Sequence, residues 1–254
     1  MVPAETHSRA VEDYLKAIYK LERRASPAGP ASSGASGSAA SPGAPASTSA
    51  LAEELARSAA SVTNMVKSLA EQGLVSHEPY RGVRLTTDGR QAALRIIRRH
   101  RVIETYLIER LGYTWDGVHV EAERLEHAAS DDLIDRMARA LGEPEIDPHG
   151  APIPGRDGSI SRRDLIALGS LPAGARARVR QVSDEDDGRL RALGAMGLLL
   201  NTEVEVVWRG DDGGCRVRVA GHEHELEPDL AADVLVEPVA TEPTGNGQAN
   251  QGGQ

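Results

Sequence analysis

The sequence contains one cysteine, Cys215, in 254 residues. A single thiol excludes an internal disulfide and any thiolate cage for zinc, in keeping with a reducing compartment. A bound metal would therefore meet oxygen and nitrogen donors. The sequence also lacks any apolar run approaching the ~20 residues that cross a bilayer. Its start, MVPAETHSRA, has no hydrophobic segment of the signal-peptide kind. A cytoplasmic location without a membrane partner is expected. Positive charge is in deficit too: the net charge is −9, which taken alone speaks against nucleic acid. That average conceals two opposed regions. Residues 57–101 carry nine Lys/Arg against Glu71, Glu78 and Asp88, whereas residues 115–149 carry ten Asp/Glu against Arg124, Arg136 and Arg139.

The length allows one large domain or two to three small ones. Val11, Leu15, Ile18 and Tyr19 recur at helical spacing, so residues 8–24 predict an amphipathic helix, with Asp13 on a different face. Residues 25–49 are nearly all Ser, Ala, Gly and Pro, too poor in apolar surface to offset chain entropy, and predict a disordered insertion that serves as a spacer. Next come a short helix over LAEELARS and a second one capped by Ser61, with Val62, Met65, Val66 and Leu69 inward. A hairpin over 74–85 turns at YRG, and a long helix capped by Thr87 reaches about Arg110. Helix, helix, hairpin is a winged helix-turn-helix order.

A further helix is expected to start at the Ser130 cap, and DPHGAPIPG closes the helical region, with His149 as a turn residue. From about Leu171 to Pro238, RARVRQV, TEVEVVWR, CRVRVAG and HELEP predict short strands of a small β-barrel. The expected fold is mostly α with a small β domain. Its divisions are a winged-helix domain (1–95), a helical domain (96–160), an SH3-like barrel (161–238) and a disordered tail (239–254).

Chemistry concentrates in VHVEAERLEHAASDD. At about 100° per residue, Glu126, Glu123 and His127 lie near −20°, +40° and +80° from His119, all on one helix face. His100 and Glu104, four apart, share a face of the preceding helix. Clustered carboxylates resist burial unless a cation repays their desolvation, so these six residues predict a metal site whose occupancy is coupled to helix packing. Such donors favour manganese or iron(II) over copper(I), while zinc and nickel also suit them. HEHE at 222–225 is expected to bind metal only adventitiously, and Cys215 to have no redox role.

Ala60, Ser61, Thr63 and Asn64 stand near the start of the predicted recognition helix. There Asn can pair with adenine and a methyl can touch thymine in the major groove. Lys67, Arg81, Arg84, Arg98, Arg99 and Arg101 are available for phosphates.

This order of motifs resembles the diphtheria-toxin-repressor family of metal-dependent transcriptional regulators. The resemblance runs from about Ser8 to Pro238 and is most specific at EDYLKAIYKLE, SVTNMVKSLAEQGLV, RRHRVIETYL and the stretch from LGYTWDG to PHGAPIPG. It implies a homodimer on double-stranded operator DNA, no small-molecule substrate and no catalysis. It also implies one metal position on Asp13, Glu123, Glu126 and His127, and a second on His100, Glu104 and His119. The second is completed from the C-terminal domain, where Asp186 matches the acidic ligand but Arg189 stands in place of an amide. Iron-responsive members carry methionine and cysteine where this chain has Asp13 and Glu123. The resemblance therefore points to the manganese-responsive branch and to repression of metal-transport genes, although Lys16 stands where some manganese sensors are acidic. An iron(II)-responsive repressor is the alternative. A carboxylate-bridged metalloenzyme is a rival from another class, but it would need a second Glu/His motif on a separate helix.

Overall fold

The computed structural model describes residues 7–24, 44–78, 81–161 and 163–239. It divides into two compact units, Met1–Asp164 and Leu165–Gln254. The first is helical with one hairpin and the second is rich in sheet.

In the first unit, α1 (Arg9–Arg24) buries Val11, Leu15, Ile18 and Tyr19, the stripe that the spacing predicts. It packs with α2 (Thr48–Glu54), α3 (Ala59–Glu71), β1 (Val75–Glu78), β2 (Gly82–Leu85) and the start of α4 (Thr87–Leu111) around one core. Most of the expected insertion lies outside the described residues. Its last part does not behave as a spacer: Ala46 is buried and exchanges two backbone hydrogen bonds with Val83 (2.9 and 2.8 Å), and the Ser47 hydroxyl caps α2.

Two caps fall beside their expected positions. An N-cap needs extended backbone and a side-chain oxygen that can reach an N–H three residues on. Ser58 and Thr86 meet both conditions, accepting from Ser61 and Gly89; Ser61 and Thr87 already lie within the first turns of their helices. Thr86 also donates to Gly73 O (2.7 Å), and a Cβ at Gly89 would stand 1.9 Å from Leu74 O. Only glycine lets the hairpin base approach α4 so closely. Glu22, 1% exposed, then ties three elements together by accepting from Leu85 N (2.9 Å) and Arg90 (2.7 Å).

At 25 residues, α4 is roughly 37 Å long. It carries the chain from the hairpin core to a second core containing Val102, Ile103, Leu107, Val118, Ala122, Ile134 and Ala138. Gly112, at φ +73°, ends it in the left-handed conformation. α5 (Val118–Leu125) and α6 (Asp131–Ala140) follow, the latter capped by Ser130 as expected. Asp147 closes the following loop by accepting from His149 N and Ala151 N, both at 2.9 Å.

The second unit is an antiparallel six-stranded sheet in the order β3 (Ile166–Ala167), β8 (Val234–Pro238), β4 (Arg176–Val182), β5 (Glu203–Arg209), β6 (Cys215–Val219), β7 (His222–Leu226). α7 (Asp187–Ala195) and α8 (Pro228–Ala232) complete it. The alternating strand residues Ala177, Val179, Val204, Val206, Val217 and Val219 form its inner face. The expected closed barrel is not seen among the described residues: β3 and β7 are the two edges, and no ladder joins them. Val239, expected in the tail, still donates to Arg176 O. The rest of that tail lies outside the described residues.

Candidate metal centre

The helix-face argument for the opening motif survives a small change in helix length. α5 stops at Leu125, but Glu126 keeps helical dihedrals and Ala129 N still bonds Leu125 O, so Glu126 and His127 continue the same turn. These residues, the middle of α4 and the first half of α1 converge. Among the described residues of this unit, Asp13, Glu126 and His127 bring donor atoms within 4.8 Å of one another, as do His100, Glu123 and Glu126.

His127 is held in one orientation. Its Nδ1–H donates to Glu12 Oε2 (2.6 Å), and Arg99 steadies the other Glu12 oxygen at 3.6 Å. Nε2 is thereby aimed at Asp13 Oδ1 (3.0 Å) and Glu126 Oε1 (3.4 Å). Nε2 is buried and makes no hydrogen bond. One imidazole nitrogen and two carboxylate oxygens converge here with no hydrogen bond at Nε2, a donor set that suits a divalent ion. Burial pushes the Asp13 carboxyl above its usual range, with His127 and Arg9 opposing. A nearby dication would reverse that shift.

His100 links the two halves of the centre. Its Nδ1 lies 2.6 Å from Glu126 Oε2, and its Nε2 lies 3.0 Å from Glu104 Oε1 and 3.1 Å from His119 Nδ1. Burial would discharge the ring, and Lys16 works in the same direction, but Glu104 and Glu126 more than reverse both and raise its pKa to about 9. Without metal, His100 is thus a proton-bearing cation donating from both nitrogens. Glu104 is fully buried, and His100 and His119 hold it well below the usual carboxylate range against the cost of burial. Its Oε2 has no hydrogen-bond partner and faces the equally unbonded Nδ1 of His149 at 3.9 Å. His149 is more than a turn residue: it is wholly buried, and its Nε2–H donates to Trp115 O (2.9 Å).

Two participants were not visible as such in the sequence. Glu12 precedes Asp13, and nothing in its spacing marks it as the residue that orients His127. Lys16 is 6% exposed, with its ammonium 2.5 Å from Glu123 Oε1, 2.9 Å from both Glu126 oxygens and 3.4 Å from His100 Nδ1. Burial lowers its pKa, but Glu126 and Glu123 raise it further, so it stays charged. Burial likewise works against ionised Glu123, yet Lys16 outweighs it and the carboxyl falls to about 2. Glu123 is thus set against Lys16, while Asp13, Glu126 and His127 meet one another.

In the sheet unit, Asp186 caps α7 by accepting from Arg189 N (2.9 Å), and Arg189 is drawn to Asp233 (2.8 Å). Cys215 begins β6 and is buried, which pushes its thiol up and leaves it unreactive. On α3, Ala60, Ser61, Thr63, Asn64 and Lys67 are all exposed, opposite the buried Val62, Val66 and Leu69. Arg81 is exposed at the hairpin tip and Arg84 half-buried on β2. Arg98, Arg99 and Arg101 are not the phosphate ligands that their charge suggests. They turn inward to Asp135 and Pro154 O, to Asp131 and Glu12, and to Asp147 and Pro152 O, because this part of α4 is packed beneath α5, α6 and the 143–155 loop.

An outward helix of small and amide side chains beside a hairpin, with a buried cluster of oxygen and nitrogen donors on the next helices, defines a metal-linked DNA-binding protein. Three family models match in order: the iron-dependent repressor N-terminal DNA-binding domain at 39–83, the iron-dependent repressor metal-binding and dimerisation domain at 86–155, and the FeoA domain at 166–238. The iron-dependent repressor IdeR of Mycobacterium leprae is 33% identical over 202 residues, covering 74% of this chain and 87% of its own. The diphtheria toxin repressor of Corynebacterium efficiens is 32% identical over 199 residues, covering 74% and 86%. A solved manganese-dependent transcriptional repressor in complex with manganese is 36% identical, with a TM-score of 0.77, and covers 90% of this chain and all of its own. The chain belongs to the iron-dependent repressor family, also called the diphtheria-toxin-repressor family, whose members are transcriptional repressors and not enzymes. Among the described residues no helix is long and apolar enough to cross a membrane.

Proposed function

We propose that this chain is a manganese-responsive repressor, acting in the cytoplasm as a homodimer that binds a palindromic operator when metal-loaded and controls metal-transport genes. The observation that carries the reading is the oriented His127 Nε2, buried without a hydrogen bond and aimed at Asp13 and Glu126. All three donors are oxygen or nitrogen, the set that suits manganese without the soft ligands that favour copper(I). Asp13, Glu126 and His127 would hold the ion, whose charge would offset the two carboxylates and add to the ties between α1 and the end of α5. Asp13 belongs to the helix whose other face joins the core that also holds α2 and α3, so fixing Asp13 bears on the recognition helix through that core. A preference of ~3 kcal/mol for the competent dimer changes occupancy more than a hundredfold.

His100, Glu104 and His119 form a second position within the helical unit. Leu111, Tyr113, Val120, Leu125 and Leu133, all exposed on or beside α4 to α6, offer a second copy an apolar face. Ala60, Ser61, Thr63 and Asn64 read bases, and Lys67, Arg81 and Arg84 hold phosphates.

The test is selection from a random duplex-DNA pool with manganese, with anaerobic iron(II) and with chelator. Enrichment of a palindrome by manganese alone supports the reading. Enrichment by iron(II) alone makes the protein an iron sensor. Equal enrichment in all three pools makes the metal cluster structural, and enrichment in none removes the repressor reading.

A further inference from the structure

Lys16 stands inside the centre and not at its rim. Its ammonium contacts every member of one donor cluster, namely His100, Glu123 and Glu126, whereas of the neighbouring cluster of Asp13, Glu126 and His127 it bonds the shared Glu126. A buried lysine normally loses a large desolvation energy, and here two carboxylates repay it at hydrogen-bond distance. Glu123 is about a third exposed, and its bond to Lys16 is shorter than any it makes to His119 (3.8 Å).

We propose that Lys16 is a resident cation of this centre: it fills the middle cluster, keeps Glu123 out of the metal's coordination and restricts uptake to the two flanking positions. The inference rests on the reading that the flanking positions take a divalent ion. Its physical basis is charge and space. An ammonium within 3 Å of Glu126 and Glu123 both repels a dication from the middle cluster and occupies the volume such an ion would need. Lys16 also joins α1 to α5 by a bond that needs no metal, so part of the α1 docking persists in metal-free protein. Its position therefore sets the stoichiometry of the centre as well as the metal-free resting state.

The full-length chain, with Lys16→Glu, Lys16→Met and Glu123→Gln variants, is dialysed against manganese(II), and bound metal is counted per chain. Low-temperature paramagnetic resonance separates isolated ions from spin-coupled neighbours, and circular dichroism checks that each variant is folded. Lys16→Glu is expected to gain one equivalent and a spin-coupled signal, because Glu126 would then bridge adjacent ions. Lys16→Met, which removes the charge without adding a ligand, is expected to bind its first equivalent at least about tenfold more tightly. Glu123→Gln is expected to leave the wild-type count unchanged. The proposal is overturned if both Lys16 variants keep the wild-type stoichiometry and affinity, or if Glu123→Gln loses an equivalent. Should the wild type take up no manganese while Lys16→Glu takes up one, the metal-responsive reading falls and the blocking role of Lys16 stands. Should neither take up any, both fall.

Discussion

The two units treat charge in opposite ways. All ten buried polar or charged residues among the described residues, from Glu12 to His149, lie in the helical unit; the sheet unit buries apolar side chains and Cys215. Its ion pairs among the described residues, Arg178 with Glu203, Arg180 with Glu237, Arg189 with Asp229 and Asp233, and Arg218 with Glu205 and Glu223, all keep solvent contact. Exposed pairs contribute little because water competes for both partners. Buried ones are costly to assemble and, once assembled, costly to break, so they are weak devices for stability. Their concentration around one helical junction marks a site where charge is held for a use other than folding. Five carboxylates (Glu12, Asp13, Glu104, Glu123 and Glu126) meet there with Lys16, Arg99 and His100 as their buried countercharges and with Arg9 4.0 Å from Asp13, so negative charge stays in excess, as a cation site needs.

The sharpest way to break this contrast is at Glu126, which is fully buried and bonded to both Lys16 and His100. Glu126→Ala removes from buried Lys16 and His100 one of the two carboxylates that each contacts, and a loss of ~3–5 kcal/mol in the metal-free protein is expected. Urea unfolding followed through Trp115, in a Trp208→Phe background, reads the helical unit alone. A loss no greater than that of a surface substitution would remove the contrast.

pH offers a second lever. His100 is raised from 6.5 to about 9, so its contribution is complete below the unfolded value and is lost as pH rises through about 9. Glu123 is lowered from 4.5 to about 2, so its contribution is complete above 4.5 and is lost as pH falls through about 2. Metal-free protein should therefore show a Trp115 transition that weakens at both extremes, while a Trp208 signal, read after Trp115→Phe, does not follow it on the alkaline side. Coinciding alkaline profiles would argue that the buried cluster has no separate electrostatics.

The exposed polar face of α3 is a third case, open to solvent and available to a ligand. Asn64→Ala should reduce discrimination at one operator position by ~1–3 kcal/mol. Lys67→Ala should weaken all sequences alike and lower the salt slope of binding by about 1. Binding titrations over a salt series distinguish these two effects. The smallest effect is expected in the sheet: Arg178→Ala should change stability by no more than ~1 kcal/mol, measured by the same urea unfolding through Trp208.

Much of this molecule follows from chain-local rules. The 3.6-residue period places His119, Glu123, Glu126 and His127 on one arc, and the same period buries Val62, Val66 and Leu69 so that Asn64 and Lys67 face outward. Alternation marks β4 to β6 as strands because their inner residues are Val and Ala with charged neighbours. Caps were legible only to within a few residues, since Ser58 and Ser61, or Thr86 and Thr87, offer the same hydroxyl and only backbone dihedrals choose between them. What the tertiary structure alone decided is pairing at long range. Residues 84 to 115 positions apart become partners when Lys16 enters the His100–Glu123–Glu126 cluster and Glu12 orients His127. By the same means Arg98, Arg99 and Arg101 turn from apparent phosphate ligands into internal ties. No periodicity encodes such contacts, because they depend on how α1, α4 and α5 pack and on which charges that packing removes from water.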